Sequence, residues 1–205
     1  MLHLETLAPE TLGLIKALQA ESLLCSFMLV GGTSLALQYG HRLSVDIDLF
    51  SRAEYDVDAI LDLLIRRYHF QRSYQSKRTL KGSIKGVMVD VIRHDYTELE
   101  IFEEQGVRLL STRDIAAMKL NAITGNGTRI KDFIDVYYLL ERFTLSELVQ
   151  FYRQKYSQDD CLAVLRSLVY FDDVDLADWP HLLKHPKLTF EEVRSRIVDA
   201  VKSIL

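Results

Sequence analysis

Apolar residues at Leu12, Ile15, Leu18 and Leu23 recur at helical spacing, which predicts an amphipathic helix from about Pro9 to Leu24. The short apolar run "SFMLVG" reads as a strand that stops at the paired glycines Gly31 and Gly32. "TSLALQYG" follows as a short helix with Gly40 at its C-terminal end, a position where a left-handed residue closes helices. "SVDIDLFS" alternates polar and apolar residues and reads as a strand. "VDAILDLLIRRY" returns to helical spacing, with Asp56 or Asp58 near its start. Residues 68–93 contain strand-like pieces with a turn signal at "KGS" (81–83) and end in the clear strand "GVMVDVIRH"; "GVRLLS" is a last short strand. After Ser111 the pattern becomes helical. "STRDIAAMKLNAIT" opens with Ser111 or Thr112 as N-cap and Asp114 in its first turn. "TRIKDFIDVYYLLERF" lies beyond a flexible "GNG" at 125–127, and three further helical segments lead to the end.

Strands mixed with helices, then helices alone, predict an α+β (mixed α/β) fold: an α/β core over 1–110 and a helical domain over 111–205. A chain of 205 residues can bury one good-sized core or two small ones sharing an interface. No window approaches the roughly 18 apolar residues of a membrane span. The opening "MLHLETLAPETLGLIKAL" lacks the basic start and small-residue cleavage site of a signal peptide. The only two cysteines, Cys25 and Cys161, sit far apart in apolar settings, which reads as two reduced core thiols in a cytoplasmic protein. A net charge of −4 argues against binding nucleic acid through bulk charge. The distribution differs from the total: between Leu63 and Val89 there is no acidic residue, while Arg66, Arg67, Arg72, Lys77, Arg78, Lys81 and Lys85 fall there. Tyr68, His69, Phe70 and Tyr74 interleave with them, a pattern suited to gripping phosphates and stacking on bases, or to two solvated strand faces.

The candidate chemistry lies in "LVGGTSLALQYGHRLSVDIDLF", residues 29–50. Side chains at i and i+2 of a strand share a face, so Asp46 and Asp48 present neighbouring carboxylates while Ile47 and Leu49 turn to the core. Two such charges repel unless a cation neutralises them. All-oxygen ligands without histidine or cysteine suit Mg²⁺ or Mn²⁺, and Asp90 in "MVDVI" offers a third carboxylate. Three carboxylates from two strands suit a pair of metals and in-line displacement at phosphorus. The bland alternative is a solvent-facing pair neutralised by Arg42 or Lys85. Gly31 and Gly32 let the backbone approach a ligand, and free N–H groups with the hydroxyls of Thr33 and Ser34 can hold a phosphate chain. A P-loop is excluded at motif level, and no histidine spacing suggests a zinc site.

Val30-Gly31-Gly32, a gap of thirteen residues, then Asp46-Ile47-Asp48-Leu49 resembles the signature of the nucleotidyltransferase superfamily typified by DNA polymerase beta. The fuller text of 31–50, with "AMKLNAI…RIKDFIDVYYLL" downstream, is similar to the AbiEii/AbiGii toxin family of type IV toxin–antitoxin and abortive-infection systems. The matching segments are 29–50, 84–92 and 112–140; the last 65 residues carry no recognisable motif.

The resemblance implies a polymerase-beta-like core and a C-terminal helical domain that completes the active site. It implies Asp46 and Asp48 as metal ligands, with Asp90 at the place of the third carboxylate. Gly31, Gly32, Thr33 and Ser34 would contact the nucleoside triphosphate, and Arg42 and Ser44 its phosphates. Lys119 would stabilise the triphosphate, the alternative being an exposed helix lysine. Asp132 and Asp135 match a later acidic motif without indicating which reaches the site; an ordinary i,i+4 pair between Lys131 and Asp135 is the alternative. The implied reaction moves a nucleoside monophosphate from an NTP to an acceptor hydroxyl, the 3′ end of tRNA, in a toxin with a cognate antitoxin. Two other readings stand beside it: transfer to a small molecule or a protein hydroxyl, and a catalytically silent nucleotide- or RNA-binding protein.

Overall fold

The structure is a computed structural model that describes residues 1–204. It divides into two compact units. The first comprises Met1–Gly40, Ser44–Tyr96 and Ile101–Leu110; the second comprises His41–Leu43, Thr97–Glu100 and the chain from Ser111 onward. Among the described residues, no helix is long and apolar enough to cross a membrane. The mixed α/β class expected from the alternating patterns is what the structure holds.

The first unit is built on a seven-stranded mixed sheet. Its strands are β1 (Met28–Val30), β2 (Ile47–Ser51), β3 (Gln71–Ser76), β4 (Thr79–Ile84), β5 (Val87–Arg93), β6 (Ile101–Glu104) and β7 (Val107–Leu110), in the spatial order β3-β4-β5-β2-β1-β7-β6. The central strands β1 and β2 run antiparallel, while β2–β5 and β1–β7 are parallel pairs. Helices α1 (Pro9–Ala20), α2 (Gly31–Tyr39) and α3 (Val57–Tyr68) complete this unit. One core joins Ile15, Leu18, Phe27, Leu29, Leu37, Ile47, Leu49, Leu64, Leu80, Val89, Val91 and Leu109. Asp56 caps α3, accepting from the backbone N–H groups of Asp58 and Ala59, so of the two acids offered by the sequence the earlier one starts the helix.

Several local expectations are corrected. The first helix ends at Ala20, because Glu21 turns extended; Leu23, counted on its apolar face, is exposed, and so is Cys25, expected as a core thiol. The helix after β1 starts at Gly31 rather than at Thr33. The "KGS" signal marks no turn: Gly82 lies inside β4, where a Cβ would sit 2.3 Å from the Gln71 carbonyl oxygen and 2.4 Å from the Phe70 ring. The reversal falls at Lys85-Gly86, whose φ values of 50° and 84° match the two left-handed positions of a tight hairpin. Strand β6 was not expected, since "IFEE" is short and alternates between exposed and half-buried positions.

The second unit packs α4 (Thr112–Gly125), α5 (Ile130–Leu139), α6 (Leu145–Tyr156), α7 (Leu162–Leu168) and α8 (Phe190–Lys202). Ile115, Leu120, Phe133, Ile134, Leu139, Leu148, Val164, Leu168, Val193 and Ile197 are buried in it. Ser111 caps α4 by accepting from the Asp114 N–H, and reciprocal capping boxes open α6 (Thr144 with Glu147) and α8 (Thr189 with Glu192). The segment 41–43 lies against the chain near 182: Leu43 N–H donates to the His181 carbonyl, and Leu183 N–H to that of His41.

Candidate active site

In the first unit, the register of the sheet aligns a row of side chains across neighbouring strands. Asp48 on β2 pairs with Asp90 on β5, Asp90 with Lys81 on β4, and Lys81 with Tyr74 on β3. Paired residues of adjacent strands point to one face, about 5 Å apart at the backbone. The Lys81 ammonium donates to Asp90, an ion pair on the half-exposed face of the row. Asp46 stands just before β2. From Asp46 to Leu49 burial alternates between half-buried aspartate and fully buried apolar residue, so both carboxylates stay off the core side.

Gly31 has φ of +70°, and a Cβ built there would lie 2.1 Å from Asp48 Oδ2. Only a residue without a side chain leaves that carboxylate its place. The two hydroxyls that follow point elsewhere. Thr33 Oγ1 lies 2.8 Å from Ser44 Oγ and donates to the Asp46 carbonyl, while Ser34 Oγ accepts from Gln38 at 3.1 Å. Both residues are buried, and Thr33 thereby fixes the approach of residues 44–46 to the strand. The structure thus brings Gly31 to Asp48 and Thr33 to Ser44 and Asp46, whereas Gly32 is half-buried at the start of α2.

Among the described residues, no group of three or more His, Cys, Asp or Glu side chains is arranged to hold a metal ion. Asp46 and Asp48 nevertheless fit a hard divalent cation. Mg²⁺ is usually bound through one or two carboxylates with substrate phosphates and water filling the rest, and the missing Gly31 side chain keeps space at one of them.

The seven cations of the basic block separate on folding. Arg66 pairs with Asp62, Arg67 with Glu21, Arg78 with Asp95 and Lys81 with Asp90. Arg72, Lys77 and Lys85 are exposed; Arg72 donates to Gln75. Arg72, Tyr74 and Lys77 line a groove of about 600 Å³ along the edge strand β3. Of the interleaved aromatics, Tyr74 is exposed and Phe70 buried. Tyr68 donates to Glu21, and burial together with that carboxylate pushes its phenol up to about 12.

In the second unit a buried polar network surrounds α5. Asp132 and Asp135, three apart, face the same way on the helix. Asp135 Oδ1 accepts from His41 Nε2 at 2.8 Å and Arg42 Nε at 2.7 Å. Its Oδ2 accepts from Arg42 Nη2 at 3.0 Å and pairs with Lys119 Nζ at 2.7 Å. Lys119 also donates to Asp132 Oδ1 at 2.6 Å. Burial opposes charging Asp135, but Arg42 and Lys119 outweigh it and hold the carboxyl well below the usual range. Burial likewise opposes a charged Lys119, and Asp132 and Asp135 overcome it, so its pKa is raised. Two buried cations thus meet two buried carboxylates, and the more exposed Arg129 guanidinium approaches Asp132 Oδ2 at 4.0 Å from outside. Lys119 is therefore no exposed helix lysine. The i,i+4 alternative also fails, because Lys131 reaches Asp178 at 2.6 Å.

Sequence reasoning missed His41, although its place between Gly40 and Arg42, just ahead of the aspartate pair, was the available signal. It also missed a second buried pair: Lys155 Nζ donates to Asp114 Oδ1 at 2.8 Å and to the Thr97 carbonyl at 2.9 Å. Asp114 further accepts from the backbone N–H groups of Leu99 and Glu100, so this pair ties residues 97–100 to the start of α4.

The chain matches the family described as nucleotidyl transferase AbiEii toxin, type IV TA system, over residues 14–85 and 79–201. It is 35% identical over 154 residues to the uncharacterized protein aq_aa25 of Aquifex aeolicus, covering 72% of this chain and 74% of that protein. Among solved structures, JHP933 of Helicobacter pylori is similar with a TM-score of 0.58 at 19% identity, over 97% of this chain and 93% of the other. The nucleotidyltransferase toxin MenT4 of Mycobacterium tuberculosis has a TM-score of 0.59 at 12% identity, over 91% of this chain and 78% of its own. With the family match running through both units and the fold shared with a solved nucleotidyltransferase toxin, the chain belongs to the nucleotidyl transferase AbiEii toxin family and is an enzyme of that class.

Proposed function

We propose that the protein transfers a nucleoside monophosphate from an NTP to the 3′-terminal hydroxyl of tRNA and acts in the cytoplasm as a toxin held in check by a cognate antitoxin. The observation that carries this reading is the carboxylate pair Asp46 and Asp48 with Gly31 kept bare against Asp48. In the reaction the acceptor oxygen bonds to the α-phosphorus, the bond to the β-phosphate oxygen breaks, and pyrophosphate leaves. Asp46 and Asp48 would hold Mg²⁺ or Mn²⁺, and Asp90, paired with Asp48 across the strands and held by Lys81, would be the further carboxylate of that face. When bound, the metal supplies charge neutralisation for the triphosphate and a lowered pKa for the attacking hydroxyl. The backbone at Gly31 and Gly32 takes the phosphate chain, and Thr33 and Ser44 hold Asp46 in place. Arg42 and Lys119, the cations that the family resemblance assigns to phosphate, are seated by Asp132 and Asp135 within the second unit. The RNA contact falls on Arg72, Tyr74, Lys77 and Lys85, the exposed remainder of the basic block.

A small-molecule or protein hydroxyl is the second reading, favoured by the internal pairing of Arg66, Arg67, Arg78 and Lys81. The test incubates the protein with Mg²⁺, each labelled NTP and total tRNA, beside Asp46→Ala. Label on tRNA with wild type alone is expected. Nucleotide binding without label on tRNA refutes the acceptor, and equal labelling by Asp46→Ala refutes the site.

A further inference from the structure

His41 is fully buried, and no part of its imidazole is open to a substrate. Its ring is nonetheless engaged on several sides. A carboxylate oxygen can only accept, so the 2.8 Å contact to Asp135 Oδ1 places a proton on Nε2. The ring packs against Tyr138, with centroids 4.9 Å apart, and Tyr138 in turn donates to the Lys184 carbonyl at 2.5 Å. The His41 carbonyl accepts from the N–H groups of Leu183 and Lys184 at 2.9 and 3.1 Å. The imidazole is thus wedged between the α5 face and the chain near 183. Burial pushes its pKa below the usual 6.5 despite the pull of Asp135, in keeping with a neutral donor.

Asp135 has about four acceptor positions, and the network supplies four donors: His41 and Arg42 on Oδ1, Arg42 and Lys119 on Oδ2. A carboxylate so saturated has no capacity left for a metal or a transferred proton. It works by holding its partners. Of those donors, His41 is the one without a charge to contribute, and its bond to Oδ1 adds a further constraint on the rotation of the carboxylate. Arg42 meets that carboxylate in a two-point grip that depends on this rotation, and Lys119 meets the opposite oxygen. Asp132 differs: its Oδ1 takes Lys119, while its buried Oδ2 has no hydrogen-bond partner and only a long ion pair with Arg129 at 4.0 Å.

We propose that His41 is a positioning residue which, through Asp135, fixes the side chains of Arg42 and Lys119 for the nucleotide. This inference rests on the functional reading above for the identity of the ligand, but not for the geometry. Asp135 is then a positioning residue as well, and Asp132 is the acid of the pair with capacity to spare.

The test compares His41→Gln, which keeps an N–H donor near the place of Nε2, with His41→Leu, which has none. The first readout is the ¹⁵N signal of the buried lysine ammonium groups, assigned with Lys119→Arg and Lys155→Arg. Lys155, held by Asp114 and Thr97, serves as the internal control for folding. In His41→Leu the Lys119 signal is expected to shift or exchange away while that of Lys155 stays; in His41→Gln both stay. The second readout is NMP transfer per folded molecule, with kcat and KM for the NTP measured separately. His41→Leu is expected to lose about 10–100-fold in kcat, with His41→Gln within about threefold of wild type, the scale of misplacing a group by an ångström. An unmoved Lys119 signal in His41→Leu, or transfer within twofold of wild type, overturns the proposal. Loss of both ammonium signals in His41→Leu also overturns it, as a general role in folding. If wild type itself transfers no label, the functional reading fails, while the ammonium signals still decide the role of His41.

Discussion

Replacing Asp135 by alanine removes the anion that two buried cations share. Arg42 is 3% and Lys119 6% exposed, so water cannot take over the lost contacts. Lys119 keeps Asp132, whereas Arg42 loses both halves of its grip. Removing one partner of a buried pair costs about 3–5 kcal/mol, because the remaining charge stays desolvated. With urea m-values of about 1–3 kcal/mol per molar, the unfolding midpoint should fall by at least about 1 M. The single tryptophan, Trp179, belongs to the second unit and reports its unfolding by fluorescence. The control is Lys131→Ala, which breaks a partly exposed pair with Asp178 and should cost no more than about 1 kcal/mol. The pH dependence carries a sign. Because folding holds the Asp135 carboxyl well below its ordinary 3.8, its stabilisation is complete above that value and is lost as pH falls through the lower folded one. Asp135→Asn should therefore flatten the acid limb of stability below about pH 4. A midpoint shift for Asp135→Ala no larger than that of Lys131→Ala would refute the buried-charge argument.

Three further substitutions test the backbone at single glycines. Gly31→Ala places a methyl 2.1 Å from Asp48 Oδ2 at a φ of +70°; about 1–3 kcal/mol of strain is expected, with transfer activity falling at least about tenfold as the carboxylate is displaced. Wild-type transfer by this variant would show that Asp48 needs no such clearance. Gly82→Ala drives a methyl into the Gln71 carbonyl and the Phe70 ring and should cost about 1–3 kcal/mol in urea unfolding. Gly86→Ala, with open space around it, meets only the penalty of its positive φ, about 1–2 kcal/mol. Equal folding kinetics and stability for Gly82→Ala and wild type would refute the close-approach account of that strand.

Much of the chain's local structure is written in short-range chemistry. Asp56, Ser111, Thr144 and Thr189 start helices by accepting from the N–H groups just ahead of them, and Gly40 closes one with a φ of 66°. Such signals span a few residues, so the sequence narrows the starts of α3 and α4 to two candidates each, and the hydrogen bonds of the fold choose Asp56 and Ser111. Equally short in range are the alternation around Asp46 and Asp48 and the glycine pair separated from them by thirteen residues, which together carry the family's signature. The misreadings have the opposite character. A glycine in "KGS" is locally a turn residue, yet Gly82 is required by the Phe70 ring and Gln71 backbone of the neighbouring strand. Lys131 and Asp135 have ideal helical spacing, yet Asp135 turns toward His41, Arg42 and Lys119, which are remote in sequence from α5. The basic block looks uniform in one dimension until Glu21, Asp62, Asp90 and Asp95 divide it. The sequence by itself determined the fold class, the presence of the main helices and the alternation that carries the carboxylate pair, because each depends on residues close along the chain. Only the tertiary structure decided which charges neutralise one another, because a buried ion pair is chosen by desolvation and by what lies within about 3 Å in space, and spacing along the chain carries no record of that.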